Sequence, residues 1–243
     1  MDEHEWSTSS NWLGLWHAVK WGEEMDRKRR LIANGACRRL LHLITDPRLI
    51  RFIELSDARA DGEIEGESWD KWDEAEDEAR DAANEISQSV TAAAAGVVAG
   101  LRNDDHKIGR TLEMVGDVFG YQSAIAARIL PHDATCEDAR RVWTDPVFVA
   151  GRDEDGGRFL ADVIREVMWN PFRPLVFEPC WRTEAAVSLA RGMYESRDFT
   201  LTTVLADAIE DAGCADADAL AHCRGPGPHV RGCWVVDLVL GKV

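Results

Sequence analysis

Residues 203–240 read TVLADAIEDAGCADADALAHCRGPGPHVRGCWVVDLVL, and this stretch decides the fold class. Gly213 and Gly225 each follow a run with helical periodicity, where glycine tolerates the left-handed conformation that ends a helix. Asp216 is a good N-cap for the second run. The apolar residues expected to face inwards recur at three- and four-residue spacing: Leu205, Ile209, Leu220, Trp234, Val235, Leu238 and Val239. The pattern predicts three short helices, the last over 230–240, with Trp234 as their buried anchor.

Helical periodicity continues through the rest of the chain. Predicted helices span 10–22, 26–44, 47–60, 107–129, 135–143, 159–169 and 183–196. Residues 68–101 are acidic at first and then rich in alanine, and they are predicted to form one long helix capped by Ser68. The only candidate strands are two short segments, Phe148-Val149-Ala150 and Val176-Phe177, and both patterns are weak.

These patterns predict an all-α protein, built as an irregular antiparallel helical bundle or as short solenoid-like helix pairs. The clearest turn is Asp153-Glu154-Asp155-Gly156-Gly157, since glycine pairs and acidic residues favour turns. It predicts a boundary between an N-terminal helical region, 1–152, and a C-terminal helical region, 153–243.

Charge and hydropathy exclude two classes of partner. The 243-residue chain carries 44 acidic and 28 basic residues and a net charge of −16, so that phosphate backbones and anionic membranes repel it. The most apolar stretch, 90–101, is shorter than the roughly 20 residues that span a bilayer, and residues 1–11 lack the pattern of a signal peptide. We therefore expect a cytoplasmic protein with no nucleic-acid or membrane partner.

Two surface features bear on a partner protein. Residues 61–81 are densely acidic and form either a solvated helix start or a docking surface for a basic partner; the arginine-rich helix 27–39 is an alternative partner within the chain. Trp12 and Trp16 lie one turn apart and are expected to face the core with Leu13 or Val19.

Three C-terminal motifs are similar to an uncharacterised bacterial family that is abundant as paralogues in planctomycete-type genomes. They are NPFRP at 170–174, LADAIEDAGC at 205–214 and HCRGPGPHVRGCWVVD at 222–237. N-terminal residues of the pattern are also matched, at Glu5-Trp6, Asp26-Arg27-Lys28, Cys37-Arg38-Arg39, His42 and Thr45-Asp46. The family pattern has several cysteines near Cys37, where this chain has one. The resemblance implies relatives and no activity.

Cysteine and histidine residues near the C-terminus form a candidate zinc site. Zinc prefers thiolate and imidazole ligands, and structural sites use four of them. The candidate ligands are Cys214, His222, Cys223, His229 and Cys233, grouped around a Pro-Gly turn. No standard zinc-finger spacing is present. The alternative is that the cysteines pack as small apolar side chains while the histidines cap helix ends.

The same residues allow an enzymatic interpretation. Cys223 or Cys233 would be the nucleophile, a histidine the base, and Asp237 would orient it. No established catalytic motif is present.

We expect Arg173, Arg224 and Arg231 to pair with acids or cap helices, or else to recognise a carboxylate or phosphate. The function favoured by the sequence is therefore a non-enzymatic adaptor or regulatory partner; the alternatives are a zinc-stabilised module and a cysteine-dependent enzyme.

Overall fold

The regular structure of the chain is helical throughout the part described by a computed structural model. That part covers residues 1–22, 25–66, 68–86, 89–102, 108–173, 175–227 and 229–242, and within it no strand is present. The all-α prediction is confirmed, and the two weak strand candidates are wrong, because 148–150 are helical and 176–177 are irregular. Some residues of predicted features lie outside this part. They include Glu67 of the acidic run 61–81, Lys107 of the predicted helix 107–129, Pro174 of the NPFRP motif and Pro228 of the C-terminal Pro-Gly turn.

Contacts divide the chain into two compact units. One unit contains residues 8–161, and the other combines residues 1–7 with 162–243. The predicted turn at 153–157 is wrong, because a π-helical segment, Gly151–Asp155, continues directly into helix Gly156–Val167. A Cβ added at Gly156 would lie 2.8 Å from the Gly116 Cα atom. Gly156 therefore allows the backbone at its position to pack closely on the backbone at Gly116. The sequence prediction assigns this glycine to a turn.

The helices are labelled in chain order. They are α1 (Glu3–Thr8), α2 (Trp12–Ala18), α3 (Asp26–Arg39), α4 (Pro47–Ala60), α5 (Ser68–Glu85), α6 (Ser89–Ala99), α7 (Ile108–Ala126), α8 (Cys136–Ala139), α9 (Pro146–Ala150), α10 (Gly156–Val167), α11 (Glu184–Ser196), α12 (Thr202–Asp211), α13 (Ala217–Arg224) and α14 (Trp234–Leu240). Short 3-10 segments lie at Leu41–Leu43, Gly100–Arg102, Arg140–Val142 and Pro179–Trp181. Consecutive helices from α3 to α7 pack against one another, as do α11, α12 and α13.

The predicted single helix over 68–101 is wrong. Helix α5 ends at Glu85, Ile86 is non-helical, and α6 packs back on α5. Helix α4 also packs on α5, and the small side chains Ala75, Ala79 and Ala82 of α5 are buried. The break at Ile86 lets α6 bury apolar area against α5, which one straight helix could not do.

The acidic run 61–81 pairs partly with arginines inside its own unit. Arg27 on α3 contacts Asp61, with 3.0 Å between Nε and Oδ1. Arg51 on α4 contacts Glu78 at 3.0 Å and Glu74 at 3.5 Å. The basic face predicted on α3 is not wholly solvated, because Lys28, Arg29 and Arg30 are buried there. These pairs leave less acidic surface for a partner than the sequence suggests.

The aromatic stripe of α2 packs differently from the prediction. Leu15 and Val19 are buried, whereas Leu13 is 42% exposed and therefore does not face the core. Trp12 and Trp16 are half-buried. The Trp16 ring stacks on Trp21 with a centroid distance of 4.3 Å. Leu15 and Val19 are four residues apart and therefore share the one face that is buried.

The C-terminal unit confirms three short helices over 202–240, with Trp234 buried among them. Gly213 has φ of +94°, as expected of a glycine that ends a helix. Asp216 caps α13 by accepting a hydrogen bond from the Ala219 N–H. The last helix begins at Trp234 and not at 230, so Cys233 is its N-cap residue. Gly225 is extended, and the chain turns instead at Gly227, with φ of +79°.

No helix among the described residues is long and apolar enough to cross a membrane.

Candidate metal centre

Four side chains from separate elements of the C-terminal unit converge on one point. Glu166 lies on α10, His222 on α13, and His229 in the loop after α13, while Cys233 caps α14. One donor atom from each residue lies within 4.8 Å of the other three. The group mixes carboxylate, imidazole and thiol, the three ligand types that zinc accepts in proteins.

The separations between the donor atoms suit a tetrahedral ion. Glu166 Oε2 is 3.2 Å from His222 Nε2, and Glu166 Oε1 is 3.2 Å from His229 Nδ1. His222 Nε2 is 3.3 Å from Cys233 Sγ. A tetrahedron built on zinc bond lengths of 2.0–2.3 Å has edges of about 3.3–3.6 Å. The other donor separations, which are at most 4.8 Å, would need to shorten by no more than about 1.5 Å for an ion to bind.

Backbone groups hold the carboxylate and one imidazole in place. His229 Nε2 lies 3.3 Å from the Gly225 carbonyl oxygen and Nδ1 lies 3.2 Å from Glu166 Oε1; an ion bound at Nδ1 would leave the Nε2 proton to be donated to that carbonyl. The Val230 N–H donates to Glu166 Oε1 at 3.4 Å. The His222 ring packs between His229 and Trp234, with centroid distances of 5.2 and 5.0 Å. These contacts pre-orient three of the four donors.

Burial and charge act against each other at Glu166. The side chain is 2% exposed, and burial alone would raise the pKa of its carboxyl group. Hydrogen bonds with His222 and His229 outweigh the effect of burial and hold this pKa below its ordinary range. Burial likewise lowers the pKa of His229, but the Glu166 carboxylate reverses the effect, so that the pKa of His229 is raised. Glu166 is therefore an anion between two histidines, a position that a cation would also stabilise.

The structure brings together three of the five ligands predicted from the sequence. His222, His229 and Cys233 belong to the cluster, whereas Cys214 and Cys223 do not. Cys223, on α13, is buried in the apolar core that residues of α11 to α14 form, and burial raises its thiol pKa to about 12. The sequence missed Glu166, which lies 63 residues before His229. The local signal was a carboxylate at helical spacing from Val163 on the buried side of α10, where Val163 and Val167 are also buried.

The geometry argues against Cys233 as a catalytic nucleophile. His222 is within hydrogen-bonding distance of its sulfur, but Cys233 is fully buried. Burial and the Glu166 charge raise the thiol pKa well above its ordinary value. Without a cation the reactive thiolate is therefore disfavoured.

The three arginines singled out from the sequence have partners within the unit. Arg224 contacts Asp207 at 2.8 Å and Glu210 at 2.6 Å. Arg173 contacts Asp218 at 3.1 Å and also Glu3. The Arg231 guanidinium lies 4.4 Å from the centre of the Tyr194 ring. Arg173 and Arg224 thus pair with acids, as predicted, whereas the contact described for Arg231 is with an aromatic ring, which was not predicted.

Two openings reach the cluster from the surface of the unit. A small cleft of about 220 Å3 is lined by Glu166, His222 and His229. A larger groove of about 630 Å3 is lined by His222 together with Trp6, Trp169 and Trp234. The cluster is therefore buried but not sealed.

Comparison of the chain with protein-family models, with curated proteins and with solved structures finds no match. The similarity to the planctomycete-type family accordingly stays a prediction.

Proposed function

We propose that this protein is a zinc-binding helical protein whose C-terminal unit is stabilised by one ion held by Glu166, His222, His229 and Cys233. The observation that carries the proposal is the convergence of four different donor atoms within 4.8 Å. A set of two imidazoles, one thiolate and one carboxylate favours zinc over calcium or magnesium, which prefer all-oxygen sites.

An ion at this point would connect elements that lie far apart in the chain. Glu166 is anchored on α10, and the other three ligands lie on α13, in the following loop and at the start of α14. Because an unfolded chain does not hold these donors together, the binding free energy contributes directly to folding. The proposal includes a cytoplasmic setting, in which reducing conditions keep Cys233 free to bind metal.

Metal analysis of the purified protein tests this function. We expect one zinc per chain in the wild type. Cys233→Ser is expected to lower zinc affinity by more than about 100-fold, since it removes a ligand itself, and even outer-shell changes cost about 10–100-fold.

Cys223→Ser is the matched control for that variant. Cys223 is as fully buried as Cys233 but does not belong to the donor cluster, so this variant should keep its zinc. A folded wild type without metal would refute the proposal, as would equal loss of zinc in both variants.

An adaptor role through residues 61–81 has weaker support. Several acids of that run are paired within the chain. Asp70, Asp73 and Asp81 are exposed on α5, but exposed acids are ordinary at a protein surface. Pull-down with and without neutralisation of these three acids tests the role; an unchanged set of partners would contradict it.

A further inference from the structure

We propose that a metal ion in this site keeps one exchangeable coordination position, which binds the carboxylate of a small ligand with an apolar body. The inference rests on the proposed zinc binding and extends it. Zinc with four protein ligands is ordinarily closed, whereas the cleft beside this cluster leaves room for a fifth ligand.

The first argument is the position of the cleft relative to the donors. Glu166, His222 and His229 line the small cleft, whereas Cys233 is fully buried and is not among its described lining residues. An ion bound to all four donors would thus have the Cys233 sulfur on its buried side and the cleft on its opposite, open side. The cleft volume of about 220 Å3 exceeds the roughly 30 Å3 that a water molecule occupies. A water or carboxylate oxygen fits on the open side.

The second argument concerns the coordination number. Glu166 Oε1 accepts the Val230 N–H at 3.4 Å, and this contact holds the carboxylate from the backbone. A carboxylate restrained in this way binds an ion through one oxygen more readily than through two. The protein would then supply four donors in total, and a further ligand would make the ion five-coordinate, a number that zinc reaches in some catalytic sites.

The third argument is the charge beside the cleft. Arg165 and Asp162 both line it, with 3.4 Å between Nη1 and Oδ1. The Arg165 Nε–H donates to the Trp6 carbonyl at 2.6 Å, which fixes the guanidinium in place. The positive charge of Arg165 beside the cleft favours an anionic ligand on the metal ion. The negative charge of Asp162 weakens this preference.

The larger groove indicates what the carboxylate would be attached to. Arg165, Ala221 and His222 line both openings, so a ligand bound at the ion can extend into the groove. Trp6, Trp169 and Trp234 supply aromatic surface there. Arg173, Asp216 and Asp218 line the same groove, so it combines aromatic surface for the apolar body of a ligand with charged groups around it.

Cobalt substitution tests the open position. Co2+ replaces zinc in such sites and gives visible absorption bands that respond to its ligands. We expect azide and acetate to shift these bands saturably, and phenylacetate to bind about tenfold more tightly than acetate because its ring is buried in the groove. Asp162→Asn should tighten acetate binding by roughly threefold, since it removes a repelling charge.

Each alternative outcome has a distinct meaning. Cobalt bands that do not change with azide or carboxylates would show a closed site and overturn this inference, while zinc binding would stand. Equal affinity for acetate and phenylacetate would overturn the role of the groove. Absence of cobalt bands would refute the zinc proposal itself and this inference with it.

Discussion

At the scale of single residues, Glu166 determines the chemistry of the C-terminal unit. A carboxylate that is 2% exposed is costly unless charge and hydrogen bonds compensate for its lost hydration. His222, His229 and the Val230 N–H supply that compensation. With an ion bound, the same carboxylate neutralises half of the charge of a divalent cation and becomes one of its four ligands.

Glu166→Gln tests this role because glutamine has nearly the same shape without the charge. We expect zinc affinity to fall by about 10–100-fold, since a neutral amide oxygen is a weaker ligand than a carboxylate. Zinc competition titration with a coloured chelator measures the change. Asp162→Asn, one turn earlier on α10, is the control and should leave zinc affinity within about threefold. An unchanged affinity in Glu166→Gln would remove Glu166 from the ligand set.

The sequence could identify part of this site because His222, His229 and Cys233 are near one another in the chain. Cys223 could not be excluded in the same way. It is adjacent to His222, but neighbouring residues on a helix point about 100° apart, so only one of the two faces the cluster. Glu166 could not be found from spacing, since only the fold brings α10 next to the loop after α13.

At the scale of elements, capping residues gave reliable helix ends. Thr183 caps α11 and Asp46 caps α4 through hydrogen bonds to backbone N–H groups, so both helices begin within one residue of their predicted starts. The predictions failed where tertiary packing decides the outcome. Ile86 interrupts a helical pattern so that α5 and α6 can pack together, and Gly156 lies inside a helical segment and not in a turn.

Gly156→Ala tests the proposed close packing of α10 and α7. The new Cβ would lie 2.8 Å from Gly116 Cα, and backbone atoms cannot rotate away. Overpacking of about 1–3 kcal/mol should exceed the gain of about 1 kcal/mol in helix propensity, so the variant is expected to be less stable. Chemical denaturation measures the free energy of unfolding.

Gly192→Ala is the matched control for Gly156→Ala. Gly192 is also helical, in α11, but a Cβ there has no neighbour within 4 Å. Helix propensity alone then applies, and stability should rise by about 0.5–1 kcal/mol. A Gly156→Ala protein that is stabilised to the same extent would contradict the packing argument.

At the scale of the whole molecule, the division into two units would confine the effect of the proposed metal ion to one of them. All four ligands belong to the unit formed by residues 1–7 and 162–243. The unit 8–161 has its own buried core, including Phe52, Leu112 and Phe148. Loss of the ion should therefore loosen one unit and leave the other unchanged.

Hydrogen exchange with and without a chelator measures this difference. After zinc removal, amides of α13, α14 and the loop between them should exchange at least about tenfold faster, because local opening no longer breaks metal bonds. Amides of α3, α4 and α7 should keep their rates. Uniform acceleration across the chain, or none anywhere, would contradict a local stabilising ion.

X-ray absorption spectroscopy at the zinc edge tests the central claim most directly, because it counts the donor atoms around the ion. The proposed site predicts one sulfur at about 2.3 Å and three or four nitrogen or oxygen atoms at about 2.0–2.2 Å. Two or more sulfurs would mean that Cys214 or Cys223 also binds zinc. That result, or a shell without sulfur, would contradict a site built from Glu166, His222, His229 and Cys233.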